Sequence, residues 1–217
     1  MAEIEITDQV TEKPQKILNS EEGAIRHSIY LLKKPRVKKE LKAIGAYSKN
    51  GKLYSYVSSY LQHHKREDSL LKELRQTRRY LADPNKIICD ASYCPVAKRA
   101  YVALHNCRDS AFRVFIVEAE TSQEAEKKGI LLARELFPQW VIVCDCYFAI
   151  QQCKTEKRKS GRMATHRVTY MPRHYSFVAD AIANYFRKNE LPEGEGTVRV
   201  EGEQIFININ SSTTVEA

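Results

Sequence analysis

The first third of the chain repeats apolar residues at the three- and four-residue spacing of an amphipathic helix. The pattern predicts three short helices, at 36–43, 53–64 and from 69 to the Asp83-Pro84 pair. Asp68 or Ser69 is the expected cap of the third helix, since a short polar side chain can bond to the first backbone N–H groups. The more apolar segment 25–32 predicts a short strand or a docking segment.

After Pro84 the pattern changes to runs of β-branched and aromatic residues, which favour strands. Seven segments show it: 86–89, 99–105, 111–118, 139–150, 165–170, 197–200 and 204–209. On the strand predicted for 139–150, Cys144 and Cys146 would share a face with apolar neighbours. Residues 106–109 are a predicted turn, and 151–163 a basic loop.

Two helices are predicted among these strands. The first opens at Thr121, because Glu124 three residues later completes a capping box, and it ends at Phe137-Pro138. Its Gly129 lacks a side chain, so the helix can approach a sheet closely. Ser176 is the expected cap of the second helix.

These elements predict an α+β fold, in which a basic N-terminal helical region precedes a mixed or antiparallel sheet packed against two amphipathic helices. The division expected along the chain is a flexible acidic tail, the helical region, the sheet domain and a second tail, at 1–23, 24–83, 85–210 and 211–217.

Composition allows a real core and shows where the charge lies. The chain has 217 residues, is 43% hydrophobic and carries a net charge of +8. Residues 23–80 hold fifteen Lys and Arg against four acids, and 154–173 hold seven against one, whereas both ends are acidic. No apolar run reaches the roughly 20 residues of a bilayer span, and the N-terminus lacks the pattern of a secretory signal. We therefore expect no membrane partner and a cytoplasmic, reducing location.

Two basic blocks separated by a near-neutral middle favour a polyanionic partner, most simply DNA or RNA, because neutralised phosphates release condensed counterions. The side chains expected to contact phosphates are Lys38, Lys39, Lys42, Lys65, Arg66, Lys72, Arg75, Arg78 and Arg79, with Lys157, Arg158, Lys159 and Arg162 on a second contact loop. The sequence thus predicts a non-enzymatic nucleic-acid-binding or accessory protein. The alternatives are a solvated basic face with no nucleic-acid role and an assembly subunit that binds an acidic protein or a second copy.

Tyrosines accompany the first basic block. Tyr47, Tyr54, Tyr56 and Tyr60 lie among lysines and Arg66, where aromatic rings could stack unpaired bases. Helical spacing explains them equally well as a seam between helices, and we expect core packing for at least two of the four.

The six cysteines give little support for a metal. A structural zinc site usually uses tight pairs such as C-x₂-C, and none occurs. Buried core cysteines are therefore expected, and neither a metal nor another cofactor is predicted. Cys94, His105 and Cys107 are the subset that a zinc hypothesis would use.

Catalytic patterns are weak. His105 and Cys107 are the only local pairing of a thiol with a base, and no acidic pair stands out as a two-metal site. Nucleotide-binding glycine motifs are absent from the sequence. A phosphodiester-processing enzyme that uses His166, His174 or Tyr175 is therefore the weakest of the alternatives.

Overall fold

The computed structural model describes residues 29–48, 50–62, 64, 66–159, 167–202 and 204–210. Its N-terminal part is helical: a turn of helix at 29–33 is followed by α1 (Pro35–Ala43), α2 (Ser55–Gln62) and α3 (Glu67–Leu81). The three predicted helices are confirmed. The strand predicted at 25–32 is wrong where the segment is described, because residues 29–33 are helical, whereas the alternative of a docking segment stays a prediction.

The start of α3 differs from the prediction. Arg66 is the N-cap and no side chain caps the helix, so Asp68 and Ser69 lie inside the first turn instead of before it. Glu67 and Asp68 there face the positive end of the helix dipole, which favours acidic side chains without a capping hydrogen bond.

The rest of the chain forms one mixed seven-stranded sheet in the order β5-β4-β1-β2-β3-β6-β7. Its strands are β1 (Lys86–Cys94), β2 (Arg99–Asn106), β3 (Ala111–Glu118), β4 (Val141–Cys144), β5 (Arg167–Tyr170), β6 (Gly194–Glu201) and β7 (Gln204–Ile209). The helices between them are α4 (Ser122–Leu136), α5 (Tyr147–Lys159) and α6 (Phe177–Lys188), with a 3₁₀ turn at Arg173–Tyr175.

The first three strands form an antiparallel meander, whereas β4 and β5 run parallel to β1. The helices α4 and α5 supply the connections that parallel strands require. The β6–β7 hairpin extends the sheet beyond β3. The predicted α+β class and the two sheet-packing helices are confirmed.

Two apolar cores cover the two sheet faces. On one face α4 packs with the N-terminal helices around residues such as Leu74, Cys89 and Ile130. On the other face α6 packs through Ile182 and Phe186. The N-terminal helices and the sheet therefore share one core cluster.

Gly129 permits the close approach of α4. A Cβ atom built there would lie 2.6 Å from Cys89 Sγ and 2.8 Å from Val102 Cγ1, too close for any residue with a side chain to fit without a shift. The predicted N-cap also forms, since Thr121 Oγ1 accepts from the Glu124 backbone N–H at 3.1 Å. The Glu124 carboxylate accepts from the Glu120 backbone N–H at 3.0 Å, one residue before the donor of a capping box.

The strand predicted for 139–150 is mostly wrong. β4 contains only Val141–Cys144, and the chain then turns into α5, which also replaces most of the loop predicted at 151–163. A short apolar run fits strand and helix periods alike. Here Ala149, Ile150 and Cys153 are buried, at helical spacing, and join the core on the α4 face.

Other local features are as predicted. The β3 strand, the turn at 107–109 and the hairpin around Gly202 are confirmed. The six cysteines are free thiols. Within the described residues, no helix combines the length and apolar character needed to cross a bilayer.

Candidate functional site

A notch is left in the sheet where β4 ends, because β1 continues beyond its last pair with β4. The last residue of β4, Cys144, pairs with Cys89, so Asp90 is the first residue of β1 beyond the end of its neighbour. The next residue after β4 is Asp145, which brings a second carboxyl group to the same notch. Two adjacent parallel strands therefore place two acidic side chains close together at the end of β4.

A third carboxyl group comes from α4. Glu126 lies one helical turn before Gly129 on the buried side of the helix, and Cys144 Sγ donates to its Oε2 at 3.5 Å. Glu126, Asp90 and Asp145 each offer an oxygen, and these oxygens lie within 4.8 Å of one another. We call these three residues the carboxylate cluster.

The carboxylate cluster is buried. Asp90 is 4% exposed and Glu126 8% exposed, while the Asp145 side chain is 11% exposed. Burial without compensation is costly for an ionised carboxylate. Within the described ranges, neither Asp90 nor Glu126 forms an ion pair with a lysine or arginine.

The pKa values of the cluster reflect this setting. Burial raises the pKa of Asp90 to about 8, and repulsion from Asp145 and Asp180 adds to the effect. Burial also raises the pKa of Glu126, with further repulsion from Asp90 and Asp145. Asp90 and Glu126 therefore each favour the protonated form more strongly than an exposed carboxyl group does.

Asp145 is the member of the carboxylate cluster that has a basic side chain and a hydroxyl group as partners. Burial raises its pKa, but the Arg173 guanidinium, whose Nε lies 3.4 Å from Asp145 Oδ2, opposes the rise. The Ser176 hydroxyl lies 3.3 Å from the same carboxylate oxygen and 2.8 Å from the Arg173 carbonyl oxygen. Ser176 was the predicted cap of α6; it occupies the N-cap position without making a capping hydrogen bond.

A cleft of about 280 Å³ adjoins the cluster. Its lining consists of Tyr54, Arg173, His174, Ser176, Phe177 and Asp180. Burial lowers the pKa of His174, so its imidazole is neutral at pH 7. The 3₁₀ turn and the start of α6 thus connect this cleft to Asp145 through Arg173 and Ser176.

Most of the predicted phosphate contacts lie on exposed helix surface. The exposed members are Lys38, Lys39 and Lys42 on α1, Arg66, and Lys72, Arg75, Arg78 and Arg79 on α3. Two of them have an acidic partner, since Arg75 Nε and Arg78 Nη1 lie 3.5 and 3.1 Å from the Glu40 carboxylate.

The second predicted contact loop is only partly described. Lys157, Arg158 and Lys159 lie on the last turn of α5, which corrects their assignment to a loop. Lys65 and Arg162 lie outside the described residues. The prediction that these side chains bind phosphate stays a prediction.

The histidine, tyrosine and cysteine side chains that the sequence suggested for catalysis or metal binding lie in different parts of the structure. His166 lies outside the described residues, but His174 lines the cleft and Tyr175 packs against it with ring centroids 4.2 Å apart. Burial lowers the pKa of His105 to about 4 and raises that of the Cys107 thiol, so neither a thiolate nor an imidazolium is favoured. In the pairing of β1 with β2, Cys94 is opposite Arg99 and His105 is opposite Ile88. Ile88 lies six residues from Cys94 along β1, so about 20 Å separates Cys94 from His105.

Core packing of at least two of the four tyrosines is confirmed, and the side chain of Tyr56 lies outside the described part of the chain. Tyr60 is fully buried and stacks on Tyr170 at 4.3 Å between centroids. Tyr47 is partly buried against the same core. Tyr54 also packs on this core but reaches the cleft.

Sequence reasoning missed all three members of the carboxylate cluster. A signal was present, since Asp90 follows Ile87-Ile88-Cys89 and Asp145 follows Val141-Ile142-Val143-Cys144. Asp145 directly follows the end of β4, whereas Asp90 lies in the middle of β1, one position beyond the residue that pairs with the end of β4. The overlong strand predicted for 139–150 hid this by placing Asp145 in its middle.

Comparison of the chain with protein-family models, with curated proteins and with solved structures finds no match.

Proposed function

We propose that this protein is a divalent-cation-dependent enzyme that hydrolyses phosphodiester bonds in nucleic acid. The observation that carries the proposal is the convergence of Asp90, Glu126 and Asp145 from β1, α4 and the end of β4. Carboxylate oxygens are the ligands that Mg²⁺ and Mn²⁺ prefer, and such sites recur in nucleases and polymerases.

The electrostatics support a cation in the carboxylate cluster. Burial and mutual repulsion raise the pKa values of Asp90 and Glu126, which favours retention of a proton in the absence of a compensating positive charge. A divalent cation would replace that proton and stabilise all three groups in the ionised form. The same cation would polarise a phosphoryl oxygen and lower the pKa of a bound water.

The reaction balances as a hydrolysis. A water molecule loses a proton to solvent and its oxygen bonds to phosphorus, while the bond from phosphorus to one sugar oxygen breaks. The leaving oxygen takes up a proton, so the products are an alcohol and a phosphate monoester. Arg173 would hold a non-bridging oxygen of the phosphate beside Asp145, since its side chain is 68% exposed and already at the edge of the cluster.

The exposed cations of α1 and α3 support nucleic acid as the substrate. A strand lying along these helices would neutralise charge on Lys39, Lys72 and Arg79 and so be held on the protein. These helices also share a core cluster with the strand that carries Asp90's neighbour Cys89.

The proposal is tested by cleavage of end-labelled DNA and RNA oligonucleotides with Mg²⁺, with Mn²⁺ and with EDTA. We expect cation-dependent cleavage by the unaltered chain and its loss in Asp90→Asn and Glu126→Gln. The matched control is Glu40→Gln, which removes an equally buried acid outside the cluster and should leave cleavage intact. Cation-independent cleavage, or equal activity in Asp90→Asn, contradicts the proposal.

A second candidate function is nucleic-acid binding without chemistry. Its support is the row of exposed cations on α3, of which Lys72 and Arg79 form no ion pair among the described residues. Salt-dependent binding without cleavage in any cation would favour it, and Lys72→Glu with Arg79→Glu should weaken binding and reduce the salt slope by about 2. Salt-dependent association with an acidic protein or a second copy, without nucleic-acid binding, would favour the assembly alternative.

A further inference from the structure

The cleft beside the carboxylate cluster is built from two parts of the chain. Tyr54 comes from the segment between α1 and α2, whereas Arg173, His174 and Phe177 come from the 3₁₀ turn and the start of α6. The two parts are in close contact, because a Cβ atom at Gly45 would lie 2.6 Å from the Tyr175 hydroxyl oxygen. The N-terminal helical region therefore forms one wall of the cleft.

The walls combine flat rings with groups that form hydrogen bonds. Tyr54 and His174 lie with ring centroids 5.2 Å apart, and Phe177 is 48% exposed although it begins a helix whose other large apolar residues are mostly buried. Arg173 offers N–H donors and Asp180 a carboxylate acceptor. Rings with nearby cations are the features with which proteins bind unpaired bases.

The size of the cleft limits what can enter it. About 280 Å³ is just below the roughly 300–1,000 Å³ found for small-ligand sites, so the cleft can hold one planar group but not a base pair within a duplex. A nucleotide that is still paired and stacked cannot reach it. Enzymes that act on such a group either use single strands or take the base out of the stack.

We propose that the cleft binds one unpaired base of a DNA or RNA strand, against the rings that line it, and so makes an unpaired nucleotide a requirement for substrate recognition. The assignment rests on the proposed function and names its substrate class. The base's own phosphate would then lie at Arg173, whose Nε is 3.4 Å from Asp145 Oδ2, at the edge of the carboxylate cluster.

Binding without cleavage tests the cleft separately from catalysis. In EDTA, the affinity of the protein is measured for a single-stranded oligonucleotide, for the fully paired duplex and for the same duplex with one bulged 2-aminopurine. We expect preference for the strand and the bulge, together with a change in 2-aminopurine fluorescence as the base stacks on protein rings.

The key variant is Phe177→Ala, since an exposed ring is removed without disturbing the core. We expect about a tenfold loss of affinity for the single strand and the bulge, no change for the duplex, and recovery with Phe177→Tyr. The matched control is Phe206→Ala, which removes a similarly exposed ring from β7 at the opposite sheet edge and should change no affinity.

Two outcomes overturn the assignment. One is equal affinity for strand, bulge and duplex that Phe177→Ala leaves unchanged; the other is full competition by a free nucleoside monophosphate, which would make the cleft a mononucleotide site. If cation-dependent cleavage persists in either case, the proposed function stands and only the base site fails. If binding behaves as expected without cleavage in any cation, the base site stands and the catalytic proposal fails.

Discussion

Glu40 and the carboxylate cluster are two buried acidic sites with opposite surroundings. Glu40 is 7% exposed, comparable with Asp90 and Glu126, but Arg75 and Arg78 place guanidinium nitrogens 3.5 and 3.1 Å from its carboxylate. The three acids of the cluster lie within 4.8 Å of one another, and the basic side chain that reaches them is Arg173 at Asp145. The Glu40 site pairs its negative charge with two arginines, whereas the carboxylate cluster concentrates negative charge.

Under the proposed function, this difference separates a structural acid from a functional one. The pairing of Glu40 with two half-exposed arginines contributes modestly to the contact between α1 and α3. The cluster has the opposite effect on the cation-free fold, because repulsion and burial force its groups to retain a proton. Such an arrangement is expected where function requires it at a cost in stability.

The largest expected effect is on catalysis. Asp90→Asn removes one ligand oxygen charge from the carboxylate cluster, and cation-dependent cleavage should fall on the order of a thousandfold, since a catalytic cation supplies several kcal/mol of transition-state stabilisation. Initial rates at saturating Mn²⁺ measure it. Glu40→Gln should retain nearly full activity, and an equal loss in both variants would erase the distinction between the two sites.

The second effect is on stability as a function of pH. The pKa of Asp90 rises from 3.8 to about 8 on folding, so between these values the folded protein holds a proton that the unfolded chain has released. The free energy of unfolding of cation-free protein should therefore decrease, on the order of a few kcal/mol, as the pH rises from about 4 to about 8. Denaturant unfolding in EDTA across this range measures it, and the decrease should be much smaller in Asp90→Asn.

A divalent cation should reverse that loss. At a concentration a hundredfold above its dissociation constant, it should raise the free energy of unfolding at pH 8 by about 2.7 kcal/mol in the unaltered chain and in Glu40→Gln. Asp90→Asn should show little of this gain. If added Mg²⁺ and Mn²⁺ leave the unfolding midpoint of the unaltered chain unchanged, the carboxylate cluster binds no cation.

The comparison also shows which structural features can be predicted from local sequence patterns. The β3 strand, the Thr121 cap of α4 and the hairpin around Gly202 depend on neighbouring residues, and their positions could be predicted. The boundary between β4 and α5 could not, because the run after Trp140 fits both periods until its partners are known. Those partners are β1 and β5, which come from distant parts of the chain.

Neither acidic site could be recognised in the sequence, and the reason is the same for both. Glu40 appeared as one acid within a basic block, and only the packing of α1 on α3 places it between Arg75 and Arg78. Asp90 and Asp145 are 55 positions apart in sequence and become neighbours through the parallel pairing of β1 with β4. Charge counts along the chain locate the basic face but contain no information about which acids converge.

Gly129→Ala should affect the cluster through packing. The new Cβ would lie 2.6 Å from Cys89 Sγ, so α4 must shift away from the sheet, at a cost of about 1–3 kcal/mol in the free energy of unfolding. Glu126 is one turn away on the same helix face and would move with it, which predicts a weaker cation-induced gain in stability as well. The contact between α1 and α3 should be untouched, so a Gly129→Ala/Glu40→Gln double variant should show additive losses. Marked non-additivity would mean that the two sites are coupled.

The smallest effect belongs to Glu40→Gln. Arg75 and Arg78 are 57% and 50% exposed, so solvent screens the ion pairs and the loss of unfolding free energy should be about 1 kcal/mol, well below the value for a fully buried pair. The same change releases two guanidinium groups on the basic face of α3, and nucleic acid should then bind slightly more tightly with a steeper dependence on salt. Fluorescence anisotropy of a labelled oligonucleotide at several salt concentrations measures both. Weaker binding in Glu40→Gln would show that this carboxylate orients the arginines for phosphate contact, and would move Glu40 from the structural site to the functional one.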